Sequence, residues 1–156
     1  MNIITSGIVQ SIYDSFWNDL DENTRSLPPK PVLVIARHED RANPDAAAQL
    51  GKMLGACKLQ ADIYNIIYLA PGQAVAWHRL NDALQPGFVF LVGIAPAQLG
   101  ISALFRLNEP NRYAEKIWLP TLSVMELDQH ADVKKQLWST GMKPIFVDQA
   151  YGAIVA

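Results

Sequence analysis

Three short, strongly apolar runs, broken only by Asn65 in the second, constrain this chain more than anything else in it. Val32-Leu33-Val34-Ile35-Ala36, Ile63 to Leu69 and Phe88-Val89-Phe90-Leu91-Val92 are each strand-sized. A run without polar alternation suits a strand buried on both faces, as in parallel sheets covered by helices. The segments between the runs read as those helices. Asn43 is placed to cap one, with Pro44 at its first position and Asp45 in its first turn. Ala46, Leu50, Met53, Leu54 and Cys57 then share one face at helical spacing. Residues 73 to 84 give a second helix, with Trp77, Leu80 and Leu84 inward and Pro86-Gly87 ending it. Strand, helix, strand, helix, strand with right-handed crossovers predicts a three-layer α/β/α domain around a mostly parallel sheet.

The flanks are less regular. Ile4, Ile8, Ile12, Phe16 and Leu20 recur every four positions, with Val9, Tyr13 and Trp17 in a second row beside them. This predicts an amphipathic helix over 3–20 with a wide apolar face. Residues 21 to 31 are polar with three prolines and read as a linker, which helix cannot cross. The division is therefore 1–26, N-terminal helix and start of linker, and 27–156, one α/β domain. Arg37 to Asn43 reads as a solvated loop. Beyond Gly93, segments 103–107 and 117–119 read as shorter strands. Ser123 is placed to cap a short turn through Leu127. Residues 131–140 read as a final helix with Val133 and Leu137 inward, followed by an apolar cluster over 142–147.

With 156 residues, half of them hydrophobic, the chain can bury a sizeable core without disulfides or metals. Its formal net charge is −2, and Lys and Arg form no block, which argues against strong direct nucleic-acid binding. No apolar run approaches the roughly 18 residues of a membrane span, and the N-terminus lacks the positive start of a signal peptide. One cysteine, Cys57, fits a reducing compartment. A cytoplasmic protein is expected, with Cys57 as a buried structural thiol.

Recognisable catalytic motifs are lacking. The first strand leads into Ala36-Arg37-His38-Glu39-Asp40-Arg41, with no glycine to cradle a phosphate, and no Gly-x-Ser-x-Gly elbow occurs. His38, Asp40 and the loop containing Gly93, Pro96 and Gln98 lie at the carboxyl edge of the predicted sheet, where α/β domains take ligands. They are the candidate ligand-edge residues. His78 and His130 read as boundary and capping residues, and the three histidines have no mutual spacing that suggests a metal site. No cofactor is expected. Trp138, beside Lys134 and Lys135, is a candidate exposed aromatic for a partner.

Three pieces in order carry a resemblance: VLVIA with its polar loop and helix, FVFLVGIAPAQLGI, and LPTLSVMELDQHADVKKQLWSTGMKPIF. Over roughly residues 32 to 146 the chain resembles the psi subunit family of bacterial DNA polymerase III. That resemblance implies a non-catalytic subunit bridging the clamp loader to a chi subunit, and through chi to single-stranded-DNA-binding protein. It also implies a fold similar to uracil-DNA glycosylases. GIAP resembles a glycosylase active-site strand, but here neither a catalytic Asp or Asn nor the paired His motif accompanies it. In the psi pattern the N-terminal arm reaches the clamp loader and the α/β body contacts chi. Ile8, Ile12, Phe16, Trp17 and Trp138 are the partner-binding residues expected on that basis. The N-terminal face is wide for a free peptide. It is expected to pack on its own domain or on a second copy of the chain. The competing reading is a small α/β enzyme or ligand-binding domain using the loops around His38 and Gly93.

Overall fold

The computed structural model describes residues 20, 22–70 and 72–153. Its centre is a five-stranded sheet in the order β2-β1-β3-β5-β4. These strands are β1, Val32–Arg37; β2, Tyr64–Leu69; β3, Phe88–Val92; β4, Asn111–Tyr113; and β5, Lys116–Thr121. Strands β2, β1, β3 and β5 are mutually parallel, with Val34 opposite Ile66 on one side and Phe90 on the other. Only β4 runs antiparallel, against β5. The three apolar runs are thus the parallel core, and the chain is a three-layer α/β/α fold.

Alternation along β1 divides the core between two faces. Val32, Val34 and Ala36 point to a layer built from Leu50 and Leu54 of α3 (Pro44–Ala56) and from C-terminal residues Leu137, Ile145 and Phe146. Leu33 and Ile35 point to the other face, where Leu80 and Leu84 of α4 (Trp77–Leu84) meet Leu99, Ile101 and Trp118. Asn43 Oδ1 accepts from the N–H groups of Asp45 and Ala46 at 3.0 and 3.3 Å, so the expected cap on α3 is present. Ser123 likewise caps α5 (Val124–Gln129), and Glu126 closes the capping box by accepting from the Ser123 N–H. His130 is the junction between α5 and α6 (Ala131–Gln136).

Several expectations fail. The linker 21–31 contains a helical turn, α1 (Glu22–Arg25), because its prolines begin only at Pro28. The loop after β1 is a short helix, α2 (His38–Ala42). It contains no glycine or proline, and Glu39 and Asp40 in its first turn suit a helix N-terminus. Helix α4 starts at Trp77, not 73, because the preceding backbone is held by another loop: the Val75 N–H donates to the Gln98 C=O at 2.9 Å. Residues 103–107 form no strand, while β4 was not foreseen. The helix expected to end at 140 continues as a wider π-helix over Leu137–Val147, which takes in the apolar cluster and Pro144. A proline lacks the N–H that regular helix needs, and the wider winding accommodates it. The N-terminal helix expected over 3–20 lies outside the described residues except for Leu20, which packs on the second core layer.

Candidate functional site at the carboxyl edge of the sheet

In a parallel sheet the ligand crevice opens where the strand order reverses. Here that point lies between β1 and β3, and Arg37 and Gly93 stand at their carboxyl ends. Arg37 Nε donates to the Gly93 C=O at 2.8 Å, spanning the switch point. An Arg37 nitrogen also lies 3.6 Å from Glu126 Oε1. Glu126 is held by the backbone and hydroxyl of Ser123, and these donors set its pKa below the usual carboxylate value. A chain of polar groups, half-exposed Arg37 and Glu126 and buried Ser123, thus laces the edge together.

Gly93 is required there. Its φ is +74°, and a Cβ would lie 2.7 Å from Ser123 Cβ and 3.0 Å from Arg37 Nε. No side chain fits without moving the start of α5.

Two hollows flank this lacing. One, of about 370 Å³, is lined by Glu39, Ala70, Ala95 and Gln98. Gln98 is tied down within it: its Nε2 donates to the Gln73 C=O at 3.1 Å, and its Oε1 accepts from the Ala95 N–H at 3.3 Å. Pro96 opens a 3₁₀ turn, Pro96–Leu99, that brings Gln98 to this position. The other hollow, also about 370 Å³, is lined mainly by apolar groups, including Pro96, Phe105, Pro120 and Leu122. On its rim Leu104 is 98% exposed and Leu107 52%.

The candidate residues are therefore not gathered. His38 is exposed and lines a separate groove with Arg41 and Tyr68. Asp40 is only 1% exposed and is not a solvated loop residue: its Oδ2 accepts from the Val124 N–H at 3.2 Å. Burial raises its pKa, against the opposing pull of the Val124 N–H and Arg37. His38 and Gln98 line different hollows, so among the described residues no one pocket joins His38, Asp40 and Gln98, the arrangement that would favour the ligand-binding reading. Trp138 is half-buried against the first core layer, and the fully exposed apolar group is Leu104. Ile8, Ile12, Phe16 and Trp17 lie outside the described residues. Cys57 is buried, and burial pushes its thiol up to about 12. Among the described residues, no three His, Cys, Asp or Glu side chains gather to hold a metal ion, and no helix is long and apolar enough to cross a membrane.

Sequence reasoning passed over Arg37, Glu126 and Leu104. Ser123-x-x-Glu126 is the spacing of a capping box and was available as a signal. Leu104 falls within a segment whose apolar content suggests a strand, which conceals its exposure. No protein-family model matches the chain, and no curated protein matches it in sequence.

Proposed function

We propose that the chain is a cytoplasmic, non-catalytic assembly subunit of the kind its psi resemblance implies, joining a clamp loader to a chi-like partner in DNA replication. The observation that carries this reading is the apolar hollow rimmed by Leu104 and Leu107. A 98%-exposed leucine beside an apolar cleft leaves its hydrophobic surface in water. Burying such a side chain fully is worth roughly 1.5–3 kcal/mol, which a protein partner supplies. The polar groups of the neighbouring edge support the same reading, since Arg37 and Glu126 are engaged with Gly93, Ser123 and each other.

The test is calorimetric titration of the full chain with a chi-like subunit and, separately, with clamp-loader subunits. Leu104→Glu is expected to weaken the chi-like partner by about a hundredfold, the range of an interface hot spot, and to leave the clamp-loader affinity unchanged. Failure of the full chain to bind either protein overturns the reading.

A further inference from the structure

The outer edge of β2 is a second surface, independent of the replication reading. Its geometry follows from one hydrogen bond: the Val32 N–H of β1 donates to the Ile63 C=O at 3.2 Å. A strand residue turns its N–H and C=O to the same side, and successive residues alternate. Residues 63, 65, 67 and 69 therefore face β1, while Tyr64, Ile66 and Tyr68 turn their backbone groups outward. Among the described residues β2 pairs with β1 alone. Among the described residues, only the Tyr64 C=O of these outward groups is engaged, by Lys30 Nζ at 3.5 Å. Edge strands are commonly defended by lysine, proline or a bulge. Lys30 defends the amino end, and no described residue pairs with the Ile66–Tyr68 end.

A groove of about 480 Å³ runs along that open end. It straddles the strand, because Ile67 belongs to one core layer while Ile66 and Tyr68 pack on the other. Leu27 and α1 flank it on one side, and His38 and Arg41 of α2 on the other. The Arg41 guanidinium sits over the Tyr68 ring, 5.6 Å from its centroid. No carboxylate is among the described residues lining the groove, although the chain carries a net charge of −2.

We infer that this groove captures an extended, acidic segment of a partner protein, which adds to β2 as a sixth strand. Backbone groups of Ile66 and Tyr68 supply the ladder. Alternate side chains of the added strand then face opposite sides. On one side they meet Arg41 and His38, which suit Asp or Glu. On the other they meet Leu27, which suits an aliphatic residue.

The experiment uses the full chain and a peptide of alternating Glu and Val, with a Lys-Val peptide as its control. The Glu-Val peptide is expected to bind saturably and to slow hydrogen exchange at the Ile66 and Tyr68 amides. N-methylation of alternate peptide amides should abolish binding. Arg41→Glu should weaken the Glu-Val peptide by about tenfold or more and favour the Lys-Val peptide. Ile66→Pro removes an outward N–H without touching the β1 ladder and should also block capture. If that variant does not fold, Arg41→Glu and the N-methylated peptide still decide the matter. Equal binding of the two peptides, no saturable binding, or insensitivity to N-methylation overturns the inference. So does a chain that pairs β2 with a second copy of itself, or a single-stranded DNA oligomer that outcompetes the acidic peptide.

Discussion

The carboxylate of Asp40 accepts a hydrogen bond from the backbone N–H of Val124, 84 positions further along the chain, at 3.2 Å. This bond fastens α2, at the end of β1, to the first turn of α5, which follows β5. It crosses over β3 and so joins the two halves of the sheet at their carboxyl edge. A residue that reads as one polar letter in a polar stretch is a buried tie.

Asp40→Ala leaves the Val124 N–H without its acceptor in a buried setting, which costs about 1–3 kcal/mol. Urea unfolding of the two proteins measures it. A change within about 0.5 kcal/mol, the ordinary outcome at a solvated position, contradicts the tie.

Asp40 also has a distinctive pH signature. Burial raises its folded pKa above the ordinary 3.8, so the folded protein holds this proton more tightly than the unfolded chain. Its contribution is fully present below 3.8 and is lost as pH rises through the higher folded value. Glu126, with its lowered pKa, contributes with the opposite sign and loses its contribution as pH falls. The comparison with Asp40→Asn separates them, because that variant retains Glu126 and cannot ionise at 40. The stability of the wild type relative to Asp40→Asn should decline with rising pH across this window. A difference that is flat with pH contradicts the assignment.

Gly93→Ala adds a Cβ 2.7 Å from Ser123 Cβ at a φ of +74°. Overpacking alone costs about 1–3 kcal/mol, and the left-handed backbone adds to it. Thermal unfolding should show a clearly lower midpoint. Gly72→Ala provides the contrast: its φ is +77°, but nothing lies within 4 Å of its added Cβ, so only the backbone cost should appear.

Cys57 should react with a thiol reagent only when the protein unfolds. Its thiol is buried, and burial pushes it up to about 12, which keeps the reactive thiolate scarce at neutral pH. Rapid labelling of the native protein would contradict this.

Asn108 joins three segments. Its N–H donates to the Pro120 C=O at 2.8 Å, its Oδ1 accepts from the Thr121 hydroxyl at 2.7 Å, and its C=O accepts from the Thr140 hydroxyl at 2.8 Å. Asn108→Ala strands the buried Thr121 hydroxyl and removes a side chain suited to the left-handed φ of +63°. A loss of about 1–3 kcal/mol is expected in denaturant unfolding. Adding Thr121→Val should recover part of it.

The fold was legible where pattern is local. Apolar runs, continuous in β1 and β3 and broken only by Asn65 in β2, identify these strands, and Asn43-Pro44 identifies the start of α3, because a short stretch of chain contains the reason for each. Asp40 was not legible, since its partner stands 84 positions away and nothing near Asp40 requires burial. Nor was β4, a three-residue strand at the sheet edge with little apolar content. The π-helix escaped because Gly141 and Pro144 ordinarily mark the end of a helix. Here Gly141 is needed for close approach, with its added Cβ only 2.7 Å from Leu119 Cδ1. At the candidate site, Gly93, Pro96 and Gln98 stand out in the sequence as a ligand-edge loop, and the structure places all three at the carboxyl edge of the sheet. Arg37, which laces that edge, stands in a polar stretch that reads as a loop, and its partners Gly93 and Glu126 are distant in sequence.

Phe146 packs on both Phe88 and Phe90, with ring centroids 6.4 and 6.5 Å apart, and Leu137, Met142 and Ile145 lie in the same layer. These residues come well after the strand they cover, which is complete by Val92. During synthesis, β3 therefore emerges from the ribosome long before the residues that shield it. For that interval the nascent protein presents two bare phenylalanines on an unfinished sheet. A premature stop before residue 146 would make that interval permanent, and the product would be a substrate for chaperones and proteases rather than a shorter working domain.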